Sequence, residues 1–482
     1  MPKTVDEQLE EQVKKDLLKE SKDNKVSYLA AFPNLVDLVE NDDNVLEFMV
    51  FDPSAKKCTS TTVIEIDGRT YKTPIKKLLP TNMVFPKKEE VEKYIFARNH
   101  YRTEAISNTI IHTTNNNTTT DDTDDTDDLT KLTIREGVSI NEWDIALYND
   151  IIFYLQERAE LPDEKLYDLI TLWVFHTYAM ERADFSPIIY FLGLPEKGKS
   201  RMLKAMTYIA RRGLRKISLT DAQILRDCTH LDATLAMDMM NLWNKIEKAG
   251  SEDVFLNRPE RGIDVSRVNR PDKGAFADTD YYTVFGPTIF ATNELIDEIL
   301  DTRAIPIVMK KSKKEFCKKV QPNDALDLKN RLTAWRACTM GDEWSEVGRI
   351  AGSRLGDITQ PLYQIVKNIN PEREQTLIDI VKDIEIKRVK EKADTLSGQI
   401  ISAALKCVTE VTHGYLKSQI ITNKFNEDKL EKEKISSRKI LNKLKTMGFE
   451  TTVAGDGAAA IFWNVDLIVS LKEEFGVQTG TE

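Results

Sequence analysis

Two glycines and a lysine that follow a short apolar run constrain the fold of this 482-residue chain more than any other feature. The run spans residues 187–192 (PIIYFL) and leads into residues 193–200 (GLPEKGKS), ahead of a helical pattern over residues 201–211. A short apolar run that ends at glycine is typical of a buried strand. Gly193 and Gly198 can adopt backbone conformations that are closed to other residues. The segment therefore predicts a strand, a tight loop and a helix.

The spacing GxxxxGKS is the Walker A, or P-loop, pattern, whose backbone amides and helix N-terminus cradle phosphates. We expect Lys199 to reach the β- and γ-phosphates of ATP, and the Ser200 hydroxyl to coordinate Mg²⁺. The predicted nucleotide-binding residues are Gly193, Leu194, Pro195, Glu196, Lys197, Gly198, Lys199 and Ser200. A strand–turn–helix without a ligand is the alternative, and the match at four fixed positions in this context disfavours it.

A second apolar segment, residues 233–237 (ATLAM), ends at Asp238. A carboxylate at the end of a neighbouring strand is what such a site needs to hold hydrated Mg²⁺, so we predict Asp238 as a metal ligand together with Ser200. Many related ATPases place a Glu directly after this Asp, but Met239 and Met240 follow here. Hydrolysis is then slow, or the general base is another residue. The candidates are Glu247, Glu252 and Glu294.

Four segments in order resemble a known group: residues 193–200, 233–258, 285–309 (FGPTIFATNELIDEILDTRAIPIVM) and 352–366 (GSRLGDITQPLYQIV). They look like the P-loop ATPases of AAA+ or superfamily-three-helicase type from phages, plasmids and integrated elements. Those proteins are often labelled replication or primase-associated helicases. The resemblance covers residues 140–370 well and the flanks less well. It implies a ring, for example a hexamer, that uses ATP to move along or remodel DNA in mobile-element replication, with a primase as a possible partner.

The resemblance also implies roles for three further residues. Asn293, at the end of the apolar strand 288–291, would place the attacking water, a role called sensor 1. Arg303, just before the strand 304–309, would reach into the neighbouring subunit's site as an arginine finger; a surface salt bridge is the alternative. Arg354 would act on the nucleotide as a sensor-2-like arginine, and a helix-capping or ion-pairing arginine is an equally open interpretation.

The stretch between Asp238 and Asn293 is rich in arginine and in turn residues. Alternating residues and glycines predict a projecting hairpin with positive charge, which in ring ATPases of this type would line a central pore and grip single-stranded DNA. The rival interpretation, which stays open, is that these arginines pair with Asp and Glu at the subunit interface. The residues that we predict to bind DNA here are Arg258, Arg261, Arg267 and Arg270.

The C-terminal region predicts three helices, over residues 396–408, 415–425 and 438–447, then strands over 449–453 and 458–463 and a closing helix over 465–475. Three helices and a two-stranded wing are the layout of a winged helix-turn-helix. Arg438, Lys439 and Lys443 on the third helix are predicted to bind duplex DNA. Residues 395–449 contain ten Lys or Arg against five Asp or Glu. A protein–protein module is the alternative.

The net charge of −10 at first argues against a nucleic-acid partner. Six aspartates, however, lie within residues 121–128, in a tract of Thr, Asn and Asp over 113–131 that predicts a disordered linker. Calcium binding by this tract is disfavoured because no Gly turn or terminal Glu completes a loop motif. The five scattered cysteines and the absence of a long apolar run favour a cytoplasmic protein without a structural zinc site.

We therefore expect an α/β fold, a P-loop NTPase core of parallel strands flanked by helices, with a small N-terminal α+β domain and a C-terminal winged helix. The predicted segments are an accessory domain (1–110), a linker (111–135), the ATPase domain (136–370), a helical connector (371–394) and the winged helix (395–478). ATP and Mg²⁺ are the expected cofactors. The alternative function is a nucleotide-switched DNA-binding or regulatory protein; a small-molecule kinase would leave the arginine-rich segment and the winged helix unexplained.

Overall fold

The computed structural model describes residues 27–28, 30–100, 141–274 and 277–477. The chain forms two compact units, with the boundary between Ile380 and Val381. The predicted linker, residues 111–135, lies outside the described residues. Within the described ranges, no helix is both long and apolar enough to cross a membrane.

Two small sheets open the first unit. β2, β3 and β4 form an antiparallel sheet in that order, while β6 pairs in parallel with β1 and antiparallel with β5. The strands are β1 (Ser27–Tyr28), β2 (Leu35–Glu40), β3 (Leu46–Asp52), β4 (Lys57–Thr61), β5 (Val63–Ile66) and β6 (Arg69–Lys72), and helix α1 covers residues 88–100. Asp67 and Gly68 join β5 to β6 with φ values of 50° and 70°. Asp67 and Gly68 therefore form the two-residue turn of a β-hairpin.

The N-terminal sheets do not stand apart from the rest of the first unit. Arg212 Nε donates to Asp37 Oδ1 at 2.7 Å, and both side chains are 2% exposed. Leu38 and Phe48 belong to the same apolar cluster as Leu235, which lies in the central sheet. The described residues of the predicted accessory domain therefore share a core with the predicted ATPase domain rather than forming a unit of their own.

A five-stranded parallel sheet forms the centre of the first unit. Its strands are β7 (Ile188–Leu192), β8 (Gly213–Lys216), β9 (Thr234–Asp238), β12 (Thr288–Thr292) and β13 (Ala304–Val308). The order across the sheet is β13-β7-β12-β9-β8. Four of the strands are short, mainly apolar and largely buried, as expected for a sheet that is covered on both faces, whereas β8 ends in Arg215 and Lys216. The prediction of a parallel α/β core is confirmed.

Helices surround this sheet. The helices that precede β9 in the chain are α2 (Glu142–Gln156), α3 (Leu166–Tyr178), α4 (Lys199–Ile209) and α5 (Asp221–Thr229). Those that follow are α6 (Leu242–Ala249), α7 (Glu252–Asn257), α8 (Glu298–Asp301), α9 (Leu326–Thr339), α10 (Ser353–Ile369) and α11 (Glu374–Asp394), the last of which contains the boundary between the units. On one face Phe255 of α7 packs against Phe290 of β12, with ring centroids 5.9 Å apart.

A separate hairpin interrupts the chain between β9 and β12. β10 (Asp264–Val268) and β11 (Thr279–Thr283) pair antiparallel, with Asp264 opposite Thr283 and Val268 opposite Thr279. This pair forms its own two-stranded sheet. The predicted hairpin is therefore present, at the predicted position between Asp238 and Asn293.

The second unit is a small α/β body with its own core. It contains α12 (Leu396–Lys406), β14 (Tyr415–Lys417), α13 (Ser418–Asn426), α14 (Ser437–Thr446), β15 (Thr451–Val453), β16 (Ala459–Phe462) and α15 (Val465–Glu474). The sheet order is β14-β16-β15, antiparallel throughout. Tyr415 to Lys417, which we predicted as the start of a helix, pairs instead with β16, because Leu416 enters the apolar core as a strand residue.

Candidate functional site

The phosphate-binding loop follows the carboxyl end of β7. Gly193 has φ 151°, and a Cβ at this position would lie 3.0 Å from the carbonyl oxygen of Met309. Gly198 has φ 82° and caps α4, which begins at Lys199. Both glycines therefore occupy backbone conformations that side chains disfavour. The loop turns its backbone towards the N-terminus of α4, where an anion is stabilised by free amides.

The two functional side chains at the start of α4 both have partners. Lys199 Nζ donates to the carbonyl oxygens of Gly193 at 2.6 Å and Leu194 at 2.7 Å. Burial lowers the pKa of Lys199, against the opposing charge of Asp238. Ser200 Oγ donates to Asp238 Oδ1 at 2.8 Å. The structure thus brings the P-loop and the end of β9 together, as the sequence predicted.

The oxygen pair of Ser200 and Asp238 suits a small hard cation. A hydroxyl and a carboxylate are ligands that Mg²⁺ takes alongside phosphate oxygens and water. Ser200 Oγ and Asp238 Oδ1 are 2.8 Å apart, so a single cation beside the loop can contact both oxygens. These residues therefore fit the metal that the motif implies.

Arg215 also belongs to this site, and sequence reasoning missed it. Its Nη2 lies 2.5 Å from Asp238 Oδ2, so the carboxylate is engaged on both oxygens. Arg215 lies on β8, which pairs in parallel with β9 and brings its end beside Asp238. The available signal was a basic pair, Arg215 and Lys216, in the segment between the P-loop helix and Asp238. That signal is weak because the strand has only four residues.

Asn293 follows directly after β12, the strand that pairs with the P-loop strand β7. β12 pairs with β7 on one side and β9 on the other, with Thr292 opposite Leu192 and Ala291 opposite Asp238. The placement of this strand beside the P-loop strand is confirmed. Asn293 follows at the same sheet edge as the P-loop, and its buried Oδ1 has no hydrogen-bond partner among the described residues.

The residues after Asp238 differ from one another in their surroundings. Met239 is buried in the apolar cluster, whereas Met240 is 65% exposed. Asn241 follows in the left-handed conformation, with φ 52° and ψ 47°. With its amide nitrogen facing Glu294, it donates to Glu294 Oε1 at 2.6 Å and to Oε2 at 3.2 Å.

Arg303 and Arg354 lie together, at the other end of the sheet. The Arg303 carbonyl accepts from the amide of Ile188, the first residue of β7. Because the P-loop begins at the other end of β7, the length of this strand, about 16 Å, separates Arg303 from the P-loop. Arg354 Nη1 lies 3.5 Å from Glu260 Oε2. Burial and the nearby charge of Arg354 lower the pKa of Arg303, while Glu260 opposes this. Arg303 Nε is buried without a partner among the described residues.

This placement corrects the interpretation of Arg354 as a sensor on the nucleotide of its own chain. Glu260, which pairs with Arg354, forms a backbone bridge with Phe185, three residues before β7. Arg354 therefore belongs to the end of the sheet that faces away from its own P-loop. The open alternative of an ion-pairing arginine describes its contacts within the chain.

Two of the four hairpin-region arginines have structural roles. Arg258 is 1% exposed, and its guanidinium donates to Thr288 Oγ1 at 2.9 Å and to the Val284 carbonyl at 2.7 Å. Its assignment to a DNA-binding surface is therefore wrong. Arg261 Nε donates to the Ala183 carbonyl at 2.8 Å, and its guanidinium lies 4.5 Å from the ring centroid of Phe285.

The other two arginines lie on the hairpin itself and differ in their ion pairs and exposure. Arg267 Nε lies 2.8 Å from Asp221 Oδ2, and its Nη1 lies 2.7 Å from Asp253 Oδ2. These contacts raise the pKa of Arg267 and tie β10 to α5 and α7. Arg270, beyond the end of β10, is 54% exposed, and its one acidic contact, Asp280, is 3.6 Å away. The arginine–carboxylate pairing predicted as the rival interpretation occurs here within one chain.

The C-terminal unit presents a basic helix. Ile440 and Leu444 of α14 are buried, whereas Arg438, Lys439 and Lys445 are exposed and Lys443 is half-buried. Ser436 Oγ caps the helix by accepting from the amide of Lys439. None of these four cations has an acidic partner in the described part of the chain. Lys434, by contrast, pairs with Glu431 at 2.6 Å.

The strand order, the loop after β7 and the contact between Ser200 and Asp238 together define a P-loop NTPase-like core. No family model matches the sequence, and no curated protein matches it. Similar solved structures include the apo C-terminal region of NrS-1, at 11% identity and a TM-score of 0.34, covering 89% of this chain and 96% of that chain.

Two further similar structures are described as helicases. The active helicase Cch of SCCmec type IV shares 11% identity at a TM-score of 0.32, covering 70% of this chain and 72% of that chain. The JCV helicase shares 9% identity at a TM-score of 0.24, covering 50% and 61%.

Proposed function

We propose that this chain is an ATP-hydrolysing motor that acts on DNA as a ring of identical subunits, of the helicase or DNA-remodelling kind. The observation that carries the proposal is the convergence of Ser200, Asp238 and Asn293 at one end of the sheet. A loop that binds phosphates, an oxygen pair for a cation and a polar acceptor beside them are the parts that ATP hydrolysis needs.

In this mechanism the chain mainly binds and orients. The amides of residues 193–200 and the ammonium of Lys199 hold the phosphates, and Asn293 holds the attacking water by its unpartnered Oδ1. Mg²⁺ on Ser200 and Asp238 would neutralise charge on the phosphates when it is bound. Arg215 has to release Asp238 at that point, because the carboxylate cannot serve both cations fully.

The arginines at the far end of the sheet support assembly into a ring. Arg303 cannot reach the P-loop of its own chain across the length of β7. A guanidinium with a buried, unpartnered Nε is stabilised by an anion, and a nucleotide in the adjacent subunit would supply one. Arg303 therefore acts in trans, and each complete site requires two subunits. A hexamer is the ring that the sequence resemblance implies.

Two surfaces would contact DNA. The hairpin of β10 and β11, with Arg270 near its tip, would bind single strands through phosphates in the ring. The C-terminal unit would act as a winged helix, a proposal that its order of helices and strands supports, and α14 would lie on duplex DNA with Arg438, Lys439 and Lys443. Residues 395–449, which include α14, contain ten Lys or Arg against five Asp or Glu in an otherwise acidic chain.

The test is ATP hydrolysis with and without single-stranded DNA, together with the oligomeric state in each condition. We expect DNA to stimulate hydrolysis in the wild type, ATP to promote a ring, and Lys199→Ala to abolish hydrolysis. ATP binding without turnover would instead favour the alternative, a nucleotide-switched DNA-binding protein. The lack of a Glu after Asp238 supports this alternative. Phosphate transfer to a small acceptor would overturn both.

A further inference from the structure

The chain lacks a general base at the position next to Asp238. Met239 occupies that position, and its side chain is buried in the apolar cluster. Hydrolysis of ATP is helped by a group that accepts a proton from the attacking water within hydrogen-bond reach. A carboxylate from another segment has to supply this function if the site hydrolyses ATP.

Glu294 follows directly after Asn293 at the end of β12. The register places Thr292 opposite Leu192, the residue before the P-loop, and Ala291 opposite Asp238. Neighbouring strands lie about 4.8 Å apart, so the chain that leaves β12 is flanked by the phosphate loop on one side and by the metal-binding carboxylate on the other. Glu294 is thus on the segment that leaves the sheet between the two halves of the site.

Two contacts hold Glu294 in place. Its amide donates to Thr292 Oγ1 at 3.3 Å, and its carboxylate accepts from Asn241 at 2.6 and 3.2 Å. Asn241 reaches it because the chain turns in the left-handed conformation three residues after Asp238, a conformation that Asn tolerates better than most residues. The loops after β9 and β12 are therefore joined above the site by this one side-chain contact.

The partner of Glu294 is neutral. No Lys or Arg in the described ranges forms an ion pair with Glu294. Its carboxylate oxygens can therefore still accept a hydrogen bond, or a proton, from another group. A neutral amide orients a carboxylate without neutralising it. Glu294 is also exposed to solvent, which leaves a route for the proton to leave.

The two other acidic candidates are less well placed. Glu247 lies five residues into α6, about 7 Å of helix beyond Leu242, and α6 leads away from the end of β9. Glu252 is the first residue of α7, after a further turn at Gly250. Both side chains are exposed, and neither forms a hydrogen bond or ion pair with Glu294 or its neighbours in the described part of the chain.

We propose that Glu294 is the general base for ATP hydrolysis and that Asn241 is its positioning residue, an inference that rests on the proposed function. As the water oxygen bonds to the γ-phosphorus, a water proton passes to the Glu294 carboxylate. The bond from the γ-phosphorus to the bridging oxygen breaks, and its electron pair leaves with ADP. Glu294 then returns the proton to solvent, so the products are ADP, inorganic phosphate and one proton.

The experiment compares Glu294→Gln with Glu247→Gln and Glu252→Gln in the full chain. We expect Glu294→Gln to lower kcat by about 10²- to 10⁴-fold, the range for loss of a general base. The affinity of Glu294→Gln for a fluorescent ATP analogue should stay within about twofold of the wild-type affinity. Unchanged binding would show that the variant is folded. The two control variants should keep the wild-type kcat. Wild-type turnover in Glu294→Gln, or the loss appearing in a control variant, would overturn the assignment.

The role of Asn241 is tested by comparing kcat with KM. Asn241→Ala removes the donor that orients the Glu294 carboxylate, so it should lower kcat at an unchanged KM for ATP. In a Glu294→Gln background the same change should lower kcat no further, because Asn241 acts only through Glu294. A full additional fall in kcat in the double variant would contradict the positioning role. If the wild type itself hydrolyses no ATP, the proposed function fails, and the base assignment fails with it. If Lys199→Ala abolishes turnover while Glu294→Gln does not, only the base assignment fails.

Discussion

Arg215 Nη2 lies 2.5 Å from Asp238 Oδ2, on the carboxylate whose other oxygen accepts from Ser200 Oγ at 2.8 Å. A guanidinium therefore stands at the group that is predicted to bind Mg²⁺. Because both cations draw on the same carboxylate, binding of the metal requires that this ion pair be weakened or broken.

We predict that Arg215→Ala raises the affinity of the ATP-bound protein for divalent cations. The pair is partly exposed, so its contribution is on the order of 1 kcal/mol, or about fivefold in affinity. Titration with Mn²⁺, followed by electron paramagnetic resonance, measures the change directly. Arg226→Ala, which removes an exposed arginine from α5, is the matched control and should leave the affinity unchanged. A weaker affinity in Arg215→Ala would mean that Arg215 helps to build the site rather than competing for it.

The buried pair of Asp37 and Arg212 predicts a large change in stability. Asp37→Ala leaves the guanidinium of Arg212 buried without its carboxylate, which costs roughly 3–5 kcal/mol. Urea unfolding of the full chain, monitored in the transition of the first unit, measures this loss. Asp42→Ala, in an exposed turn of the same sheet, should change the free energy of unfolding by less than about 0.5 kcal/mol.

The same pair sets a pH dependence. Burial alone would raise the pKa of Asp37, but the positive charges of Arg212 and its basic neighbours outweigh it and hold the pKa below its ordinary value. A depressed folded-state pKa stabilises the protein above the unfolded-state pKa, near 4, and this contribution is lost as the pH falls further. The stability difference between wild type and Asp37→Ala should therefore be constant above about pH 5 and shrink below pH 4. A difference that grows on acidification would contradict this assignment.

The residues that meet at the carboxyl edge of the sheet could be predicted from sequence because they belong to local patterns. The glycine spacing, Asp238 after an apolar run and Asn293 after the next one each depend on a few adjacent residues. Parallel strands then bring their carboxyl ends to one edge of the sheet, as the register of β12 confirms. Beyond the strand order, these predictions required no contacts between distant segments of the chain.

The rest depended on contacts that a pattern does not encode. Asp37 meets Arg212 across 175 residues of sequence, so the N-terminal sheets looked like a separate domain. Arg258 resembled its neighbours on the hairpin in composition, yet its side chain turns inward to satisfy the carbonyls of Val284 and Ala233. Residues 264–283 contain three Lys or Arg against four Asp, so the prediction of a positively charged hairpin is wrong, and arginine content also did not show which arginines are free.

The position of Arg303 predicts complementation between inactive variants. Arg303→Ala should lower kcat by at least about 10³-fold, as for loss of an arginine finger, and Lys199→Ala should be inactive. A mixture of the two should regain activity, because the P-loop of one variant meets the intact Arg303 of the other. Subunit-mixing assays of ATP hydrolysis measure the recovery.

Arg354 gives the matched comparison. Because it lies beside Arg303, Arg354→Ala should also be complemented by Lys199→Ala. If Arg354 instead acts on the nucleotide of its own chain, the mixture should stay inactive. Loss of ring assembly in either variant, detected by light scattering, would show that the arginine holds the interface rather than the nucleotide.

The two hairpin arginines should behave differently towards single-stranded DNA. Arg270 is exposed, so Arg270→Ala should weaken binding and reduce the slope of log affinity against log salt by about 1. Arg267 is held by Asp221 and Asp253, so Arg267→Ala should leave the slope unchanged and instead lower the melting temperature of the first unit. Fluorescence anisotropy at several salt concentrations measures both slopes. Equal slopes for wild type and Arg270→Ala would remove the hairpin from the DNA-binding surface.

The basic helix of the C-terminal unit predicts a second, duplex-specific contact. Removal of Arg438 and Lys439 together should weaken duplex binding and reduce the slope of log affinity against log salt by about 2. Each lost contact between a cation and a phosphate means that about one counterion fewer is released from the DNA on binding. Lys434 and Lys424 are already neutralised by Glu431 and Glu427.

The double variant of those two paired lysines is the matched control, because it removes the same charge from the same unit. It should bind duplex DNA with a nearly unchanged slope. If the two double variants lose affinity equally, binding follows the net charge of the unit and α14 has no defined contact with the duplex. If neither loses affinity while ring assembly weakens in Arg438→Ala/Lys439→Ala, the C-terminal unit binds protein rather than DNA, because the unpaired cations of α14 then meet carboxylates of another subunit.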